Sequence, residues 1–315
     1  KLMGLAPYGK PKYENLIRDK LIYLADDGSF QLDLSYFDYA TGLTMTNNKF
    51  NNLFGKKPRN PKKEMITQFH MDIAASIQKV TEEIMIKLSK SIIQEYKIKN
   101  LCLAGGVALN CVANGKILKK EVFDKIWIQP AAGDAGGSLG AALAMWYLEL
   151  DEKRKIQNRD SMKGSFLGPR YSDDDIEIEL KKIGAVYEIL KTDEIINKTA
   201  DSLSKGDAIG WFQDRMEFGP RALGCRSIIA DARSATMQKT LNLKVKYRES
   251  FRPFAPSILF DDLNQWFDLN IESPYMLLVG NVKQNIKKEM SENENKLFGI
   301  NKLNIIRSTI PAVTH

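Results

Sequence analysis

Histidine is nearly missing from this chain of 315 residues: there are two, His70 and His315. No H-x-x-x-H or H-E-x-x-H pair can be written with them, so no histidine-based metal centre is complete within the sequence. Cysteine is almost as scarce. Cys102, Cys111 and Cys225 show no C-x-x-C spacing, which excludes a zinc ribbon and a disulfide framework. It points to a reducing, cytoplasmic compartment, with Cys102 expected to be buried on a strand. Long apolar runs are absent too. The longest, Ala141–Leu148, is far short of the ~20 residues that cross a bilayer, so no membrane is expected as a partner. No secretory signal pattern is read in the chain. The aromatic interleaving of a single-strand reader is also lacking, since Phe251 and Phe254 flank arginine and proline only once, and nucleic acid is not the expected partner.

What is present is an ordinary globular composition, 43% hydrophobic and 27% charged, with length for about two domains. The formal net charge of +7 is concentrated: from Arg215 to Arg252 there are nine lysines and arginines against three acids. Such a local excess suits a bound anion better than a nonspecific polymer.

Two strand–glycine–helix junctions stand back to back. Ile98–Leu103 reads as a strand, Gly105 and Gly106 follow, and Val107–Leu118 has helical spacing. Ile126–Gln129 reads as a second strand, and Gly133-Asp134-Ala135-Gly136-Gly137 opens a helix to about Leu150. Glycine lets backbone approach a ligand closely, and a helix start offers free N–H groups to phosphate. Asn110 suits either a hydrogen bond to ribose or phosphate or a plain surface amide. Asp134 suits either an N-cap or a hard metal ligand.

Around these junctions the pattern is mixed. Met3–Lys12 reads as a glycine- and proline-punctuated loop, and Asn15–Tyr39 as a helix followed by strands broken at Asp26-Asp27-Gly28. Asn47–Lys63 reads as an exposed loop. Glu64–Tyr96 is a long helix with apolar residues at 66, 69, 73, 77, 80, 84, 88 and 92. His70 near its start is expected to be surface or core, not a ligand. Asp151–Lys163 reads as a linker. Beyond it, Asp173–Ile183 is helical behind a Ser172 cap, and a strand at Val186–Leu190, a helix at Asp193–Lys205 and a strand at Ala208–Phe212 follow. Further strands are expected at Ser273–Val282 and Ile310–Thr314. In FGPRALGCRS, a glycine- and proline-set loop holds Arg221 and Arg226. Lys244, Lys246 and Arg248 end a helix, with Arg252 just beyond. These cations either offer donors to phosphate or form surface salt bridges with Asp214, Glu217 and Glu249.

The stretches LCLAGGVALNCVANGKIL, PAAGDAGGSLGAAL, KLMGLAPYG, GWFQDRMEFGPRALGCRSIIADAR and NLKVKYRESFRPFAPSIL resemble the O-carbamoyltransferases, the family of nodulation-factor and antibiotic-tailoring carbamoyltransferases. The resemblance implies an α/β fold: an actin-like ATPase half-domain over residues 1–160, followed by a YrdC-like α/β domain over 161–315. It implies ATP and carbamoyl phosphate as substrates, carbamoyladenylate as intermediate with release of pyrophosphate, and a hydroxyl-bearing sugar or natural product as acceptor. Arg221, Arg226, Lys244, Arg248 and Arg252 would bind carbamoyl phosphate and the adenylate. Arg221, Arg226 and His315 would be catalytic. Gly105, Gly106, Asn110, Gly136 and Gly137 would hold the nucleotide under a loop formed by the opening motif. Asp134 would bind a divalent metal, iron or magnesium, whose other ligands in the family precede the region present here. The sequence reads as an internal part of a larger protein, compatible with a homodimer. Two other readings use related folds: a tRNA-modifying or RNA-binding factor, and an actin-like-fold sugar kinase.

Overall fold

The structure is a computed structural model and describes residues 1–156 and 159–314. One long helix sets its plan. The chain enters through α1 (Leu2–Leu5) and a 3-10 turn at Ala6–Tyr8, then α2 (Glu14–Lys20) and the antiparallel hairpin β1 (Ile22–Leu24) and β2 (Phe30–Leu32). Next come α3 (Asn48–Phe54) and α4 (Gln68–Tyr96). The opening motif is therefore not the plain loop expected from its glycine and proline: Leu5, Ala6 and Tyr8 are buried against Met71 and Ala74 of α4 and Phe251. The stretch expected as an exposed loop over Asn47–Lys63 carries α3. Asn47 caps that helix, its side chain accepting from the N–H groups of Lys49 and Phe50. Phe50, Leu53 and Phe54 pack against Ile17, Tyr36, Val80 and Ile84.

The apolar row expected on α4 is only part of its buried surface, because core contacts its sides in three clusters. The polar side chains buried on α4 include Asp72, Ser76, Gln78 and Glu82. A buried polar group is tolerated only when hydrogen-bonded, and each of these holds a neighbouring element. Asp72 accepts from the Lys10 N–H at 2.8 Å and the Gln68 amide at 2.7 Å, and pairs with Lys12 at 2.8 Å. Ser76 Oγ accepts from the Tyr13 N–H at 2.9 Å. Gln78 and Asn110 exchange amide hydrogen bonds, and Glu82 pairs with Lys116. His70 has the expected bland role: its Nδ1 accepts from the Thr67 N–H at 3.0 Å, closing a capping box.

The paired junctions follow as expected. β3 (Asn100–Leu103) lies parallel to β4 (Lys125–Ile128), with Leu101 opposite Ile126 and Leu103 opposite Ile128. Between them run a 3-10 turn at Gly106–Leu109 and α5 (Cys111–Leu118), and α6 (Ala135–Ala144) leaves the second junction. Parallel strands alternate faces, and only one face of this pair is covered. Cys102 is exposed and lies opposite Trp127, which is 42% exposed. The expected burial of Cys102 is thus corrected: it sits on the uncovered face.

Further along the chain, α7 (Asp173–Lys182) and α8 (Thr192–Ser204) lead to the antiparallel pair β5 (Ile209–Phe212) and β6 (Arg226–Ile229), and then to α9 (Met237–Thr240), which continues as a wider turn through Val245. Ser172 caps α7 as expected, in a reciprocal capping box with Asp175. Residues 186–190 form no strand, and residues 273–282 contribute only a single bridge, Phe267 to Val282. Residues 311–313 are a 3-10 turn instead of a strand. Ala108, Ile128 and Ala132 share a core with Met162, Tyr275 and Leu277, so sequence-distant parts close over the junctions together.

Candidate functional site

The loop Glu217–Cys225 is built around one carboxylate. The Glu217 side chain has no solvent exposure. It accepts from the N–H groups of Leu223 at 2.6 Å and Cys225 at 2.9 Å, and from Arg226 Nε at 3.0 Å. Burial acts to raise its pKa, but these donors outweigh it and hold the carboxyl below its usual value. Arg226 is therefore turned into the loop. Its Nη2 also donates to the Glu217 and Gly219 carbonyls, both at 3.1 Å. Of the surface salt bridges considered for this segment, the Glu217 pair is an internal staple. Asp214 pairs with Arg170 at 3.1 Å and Glu249 with Lys1 at 3.0 Å.

The stapled loop presents Arg221 to the first glycine junction. Arg221 Nη2 donates to the Leu109 carbonyl at 3.3 Å, and its Nε is sealed from solvent without a partner among the described residues. Its charge reaches Cys111, opposing the burial that pushes that thiol up. Gly219, at φ 130°, lies against the second junction: a side chain there would meet Ala131 and the Pro130 carbonyl at 3.4 Å. One loop thus rests on both junctions, and the positive φ makes glycine the fitting residue at the contact.

A second basic loop approaches from α9. Asn242, with no exposure, donates to the Ser250 carbonyl at 3.1 Å and the Arg252 carbonyl at 2.9 Å, and accepts from Arg248 Nε at 2.6 Å. The Arg248 guanidinium also lies 4.8 Å from the Phe254 ring centre. Burial, then the charge of Arg252, hold Arg248 below its usual value. Arg248 and Arg252 therefore share one electrostatic neighbourhood. Lys244 is exposed near the end of the turn and makes no ion pair among the described residues.

Of the glycines, Gly105, Gly106 and Gly137 have open space where a side chain would be, and Gly105 has φ +92°. A phosphate can approach the backbone at Gly105 and Gly106, whereas the Gly137 N–H already donates to the Asp134 carbonyl at 3.0 Å. Gly136 instead packs tightly, since a Cβ there would lie 2.1 Å from the Ala131 carbonyl oxygen. Asn110 is held on two sides: its Oδ1 accepts from the Ala113 N–H at 3.2 Å and its amide group pairs with Gln78. Asp134 stands at the start of α6, exposed, and makes no capping bond. Among the described residues no three His, Cys, Asp or Glu side chains gather into a metal-binding group. The residues present supply one carboxylate, which does not by itself fit a metal centre. His315 lies outside the described residues. No described helix is long and apolar enough to cross a membrane.

Sequence reasoning missed Glu217, Asn242 and Asp72 as organisers of this site. The available signal was polar residues among buried neighbours, and it becomes readable only once their partners, from 6 to 62 residues away in sequence, are known.

The carbamoyltransferase N-terminus family model matches residues 1–143, and the carbamoyltransferase C-terminus model matches residues 200–315. An uncharacterised protein of Synechocystis sp. is 54% identical over 317 residues, covering 100% of this chain and 51% of that protein. The nodulation protein NolNO of Sinorhizobium fredii is 39% identical over 288 residues, 90% of this chain and 40% of its own length. The nodulation protein NolO of Bradyrhizobium diazoefficiens is 37% identical over 288 residues, 90% of this chain and 50% of its own. The chain spans about half the length of the curated relatives it matches, or less.

Proposed function

The chain belongs to the carbamoyltransferase family, and from that premise we propose that it works in ATP-dependent transfer of a carbamoyl group to a hydroxyl of a sugar or natural product. Carbamoyl phosphate, water and ATP would give carbamoyladenylate, phosphate and pyrophosphate. The acceptor hydroxyl then attacks the carbamoyl carbon and AMP leaves. The observation that carries this reading is the position of the Arg221 loop, in which Arg221 bonds to the Leu109 carbonyl and Gly219 lies against Pro130–Ala131.

Two phosphate-bearing substrates repel each other unless fixed cations lie where their charge gathers. Arg221, Arg248 and Arg252 supply such cations from frames that do not need to reorganise, because Glu217 and Asn242 already hold the loops. The open backbone at Gly105 and Gly106 suits the nucleotide phosphates. Bringing both substrates to adjoining sites supplies much of the rate through proximity.

The test is incubation of the full-length protein with labelled carbamoyl phosphate, ATP and magnesium or iron(II), followed by a search for label in an ester product. Label in a carbamoyl ester, dependent on ATP, supports the proposal. Phosphorylated sugar without carbamoyl ester would select the sugar-kinase reading instead.

A further inference from the structure

Two guanidinium groups share a feature. The Nε atoms of Arg221 and Arg307 are both sealed from solvent, and neither has a partner among the described residues. Arg221 belongs to the site above. Arg307 was not singled out by any motif, and it makes no ion pair with an acid among the described residues. Among the described residues its side chain makes one hydrogen bond, from Nη2 to the Thr314 carbonyl at 3.1 Å. A cation partly withdrawn from water without a counter-charge is unfavourable, and an anion is what offsets it.

The frame around Arg307 is rigid. Ser308 has no exposure; its Oγ lies 2.7 Å from Thr314 Oγ1 and accepts from the Ile310 N–H at 3.0 Å. Thr314 Oγ1 donates back to the Ile310 carbonyl at 2.9 Å. The Arg307 carbonyl accepts from the Lys288 N–H at 2.9 Å, and the Ala312 N–H donates to Ala232 at 3.1 Å. The arginine is thus presented from a fixed turn, not from a solvated strand end. Its charge is felt by Tyr8, which is 2% exposed; burial raises that phenol to about 12 and Arg307 opposes the rise. Tyr8 belongs to the opening motif and shares a core with Phe251, the neighbour of Arg252 in sequence.

We propose that Arg307, held on the Ser308–Thr314 turn, is a further oxyanion-binding residue that takes a phosphate group. The assignment rests on the phosphate-bearing substrates proposed above. It adds a cation from the last described turn to those on the two basic loops. A phosphate on the donor and a phosphate on the nucleotide offer the same chemistry to a guanidinium fork, so the experiment separates them.

Calorimetric titration of the full-length protein with inorganic phosphate and, separately, with ATP is the test. Arg307→Gln is expected to weaken at least one of these probes by about tenfold or more, the loss of a charge-assisted contact. Arg307→Lys, which keeps the charge and loses the fork, is expected to weaken it by a smaller factor. A loss toward phosphate alone assigns the donor, and a loss toward ATP alone assigns the nucleotide. Unchanged affinity for both probes in folded Arg307→Gln overturns the proposal, as does unchanged affinity in Arg307→Lys where the glutamine variant does not fold. Failure of the unsubstituted protein to bind either probe overturns it too. Arg307-dependent phosphate binding in a protein that makes no carbamoyl ester would remove the carbamoyl reading and leave this one standing.

Discussion

Replacing Glu217 by alanine removes the acceptor for three donors at once: the N–H groups of Leu223 and Cys225, and Nε of Arg226. Each buried N–H left unpaired costs about 1–3 kcal/mol. Breaking a buried ion pair by removing one partner costs about 3–5 kcal/mol, but the Arg226 side chain is 35% exposed and water will take up part of that. The structure therefore predicts a loss on the order of 3–5 kcal/mol for Glu217→Ala, and about half of that for Glu217→Gln, which keeps one carbonyl oxygen. Urea unfolding followed by circular dichroism measures both. The acid dependence follows from the same contacts. Because the folded-state pKa of Glu217 is depressed, its stabilisation is fully present above the unfolded carboxyl pKa and fades as pH falls through the folded one. The Glu217→Gln chain should then lose less stability than the unsubstituted chain between about pH 5 and pH 3. A destabilisation under ~1 kcal/mol for the alanine variant, the range of ordinary surface changes, would refute the staple.

Asp72→Ala frees the Lys10 N–H and Lys12 from α4 and leaves the Gln68 amide without this acceptor. A loss of about 2 kcal/mol and faster proteolysis near Lys10 and Lys12 are expected; unchanged cleavage would contradict the anchoring of the opening motif. Asn110→Ala removes the α5 cap and the Gln78 pair, and should lower stability by roughly 1–2 kcal/mol in the same urea assay. A neutral result would mean that the amide clamp contributes nothing.

Local pattern revealed the elements whose signal is local. The parallel pair β3 and β4, the glycine starts of the turn and helix that follow them, and the length of α4 could all be read from spacing. The failures lie where a distant partner decides. Residues 186–190 have strand-like composition, but no strand pairs with them. The opening motif looks like a loop because its helix is too short for periodicity, and it is held down by Asp72 and Ser76 some sixty residues on. Cys102 alternates as a buried strand residue should, yet its face of the two-stranded sheet is uncovered. The basic segment was legible as a charge excess. That Arg226 would turn inward while Arg221 turns toward Leu109 was not, because a single buried acid divides their roles.

The central claim is that the Arg221 loop and the glycine junctions form one working site. Pyrophosphate release from ATP by the full-length protein, with and without carbamoyl phosphate, compares the unsubstituted chain with Arg221→Ala. Release that depends on carbamoyl phosphate, and that falls by about a hundredfold or more in the variant, is the predicted result. Equal release from both proteins would contradict it.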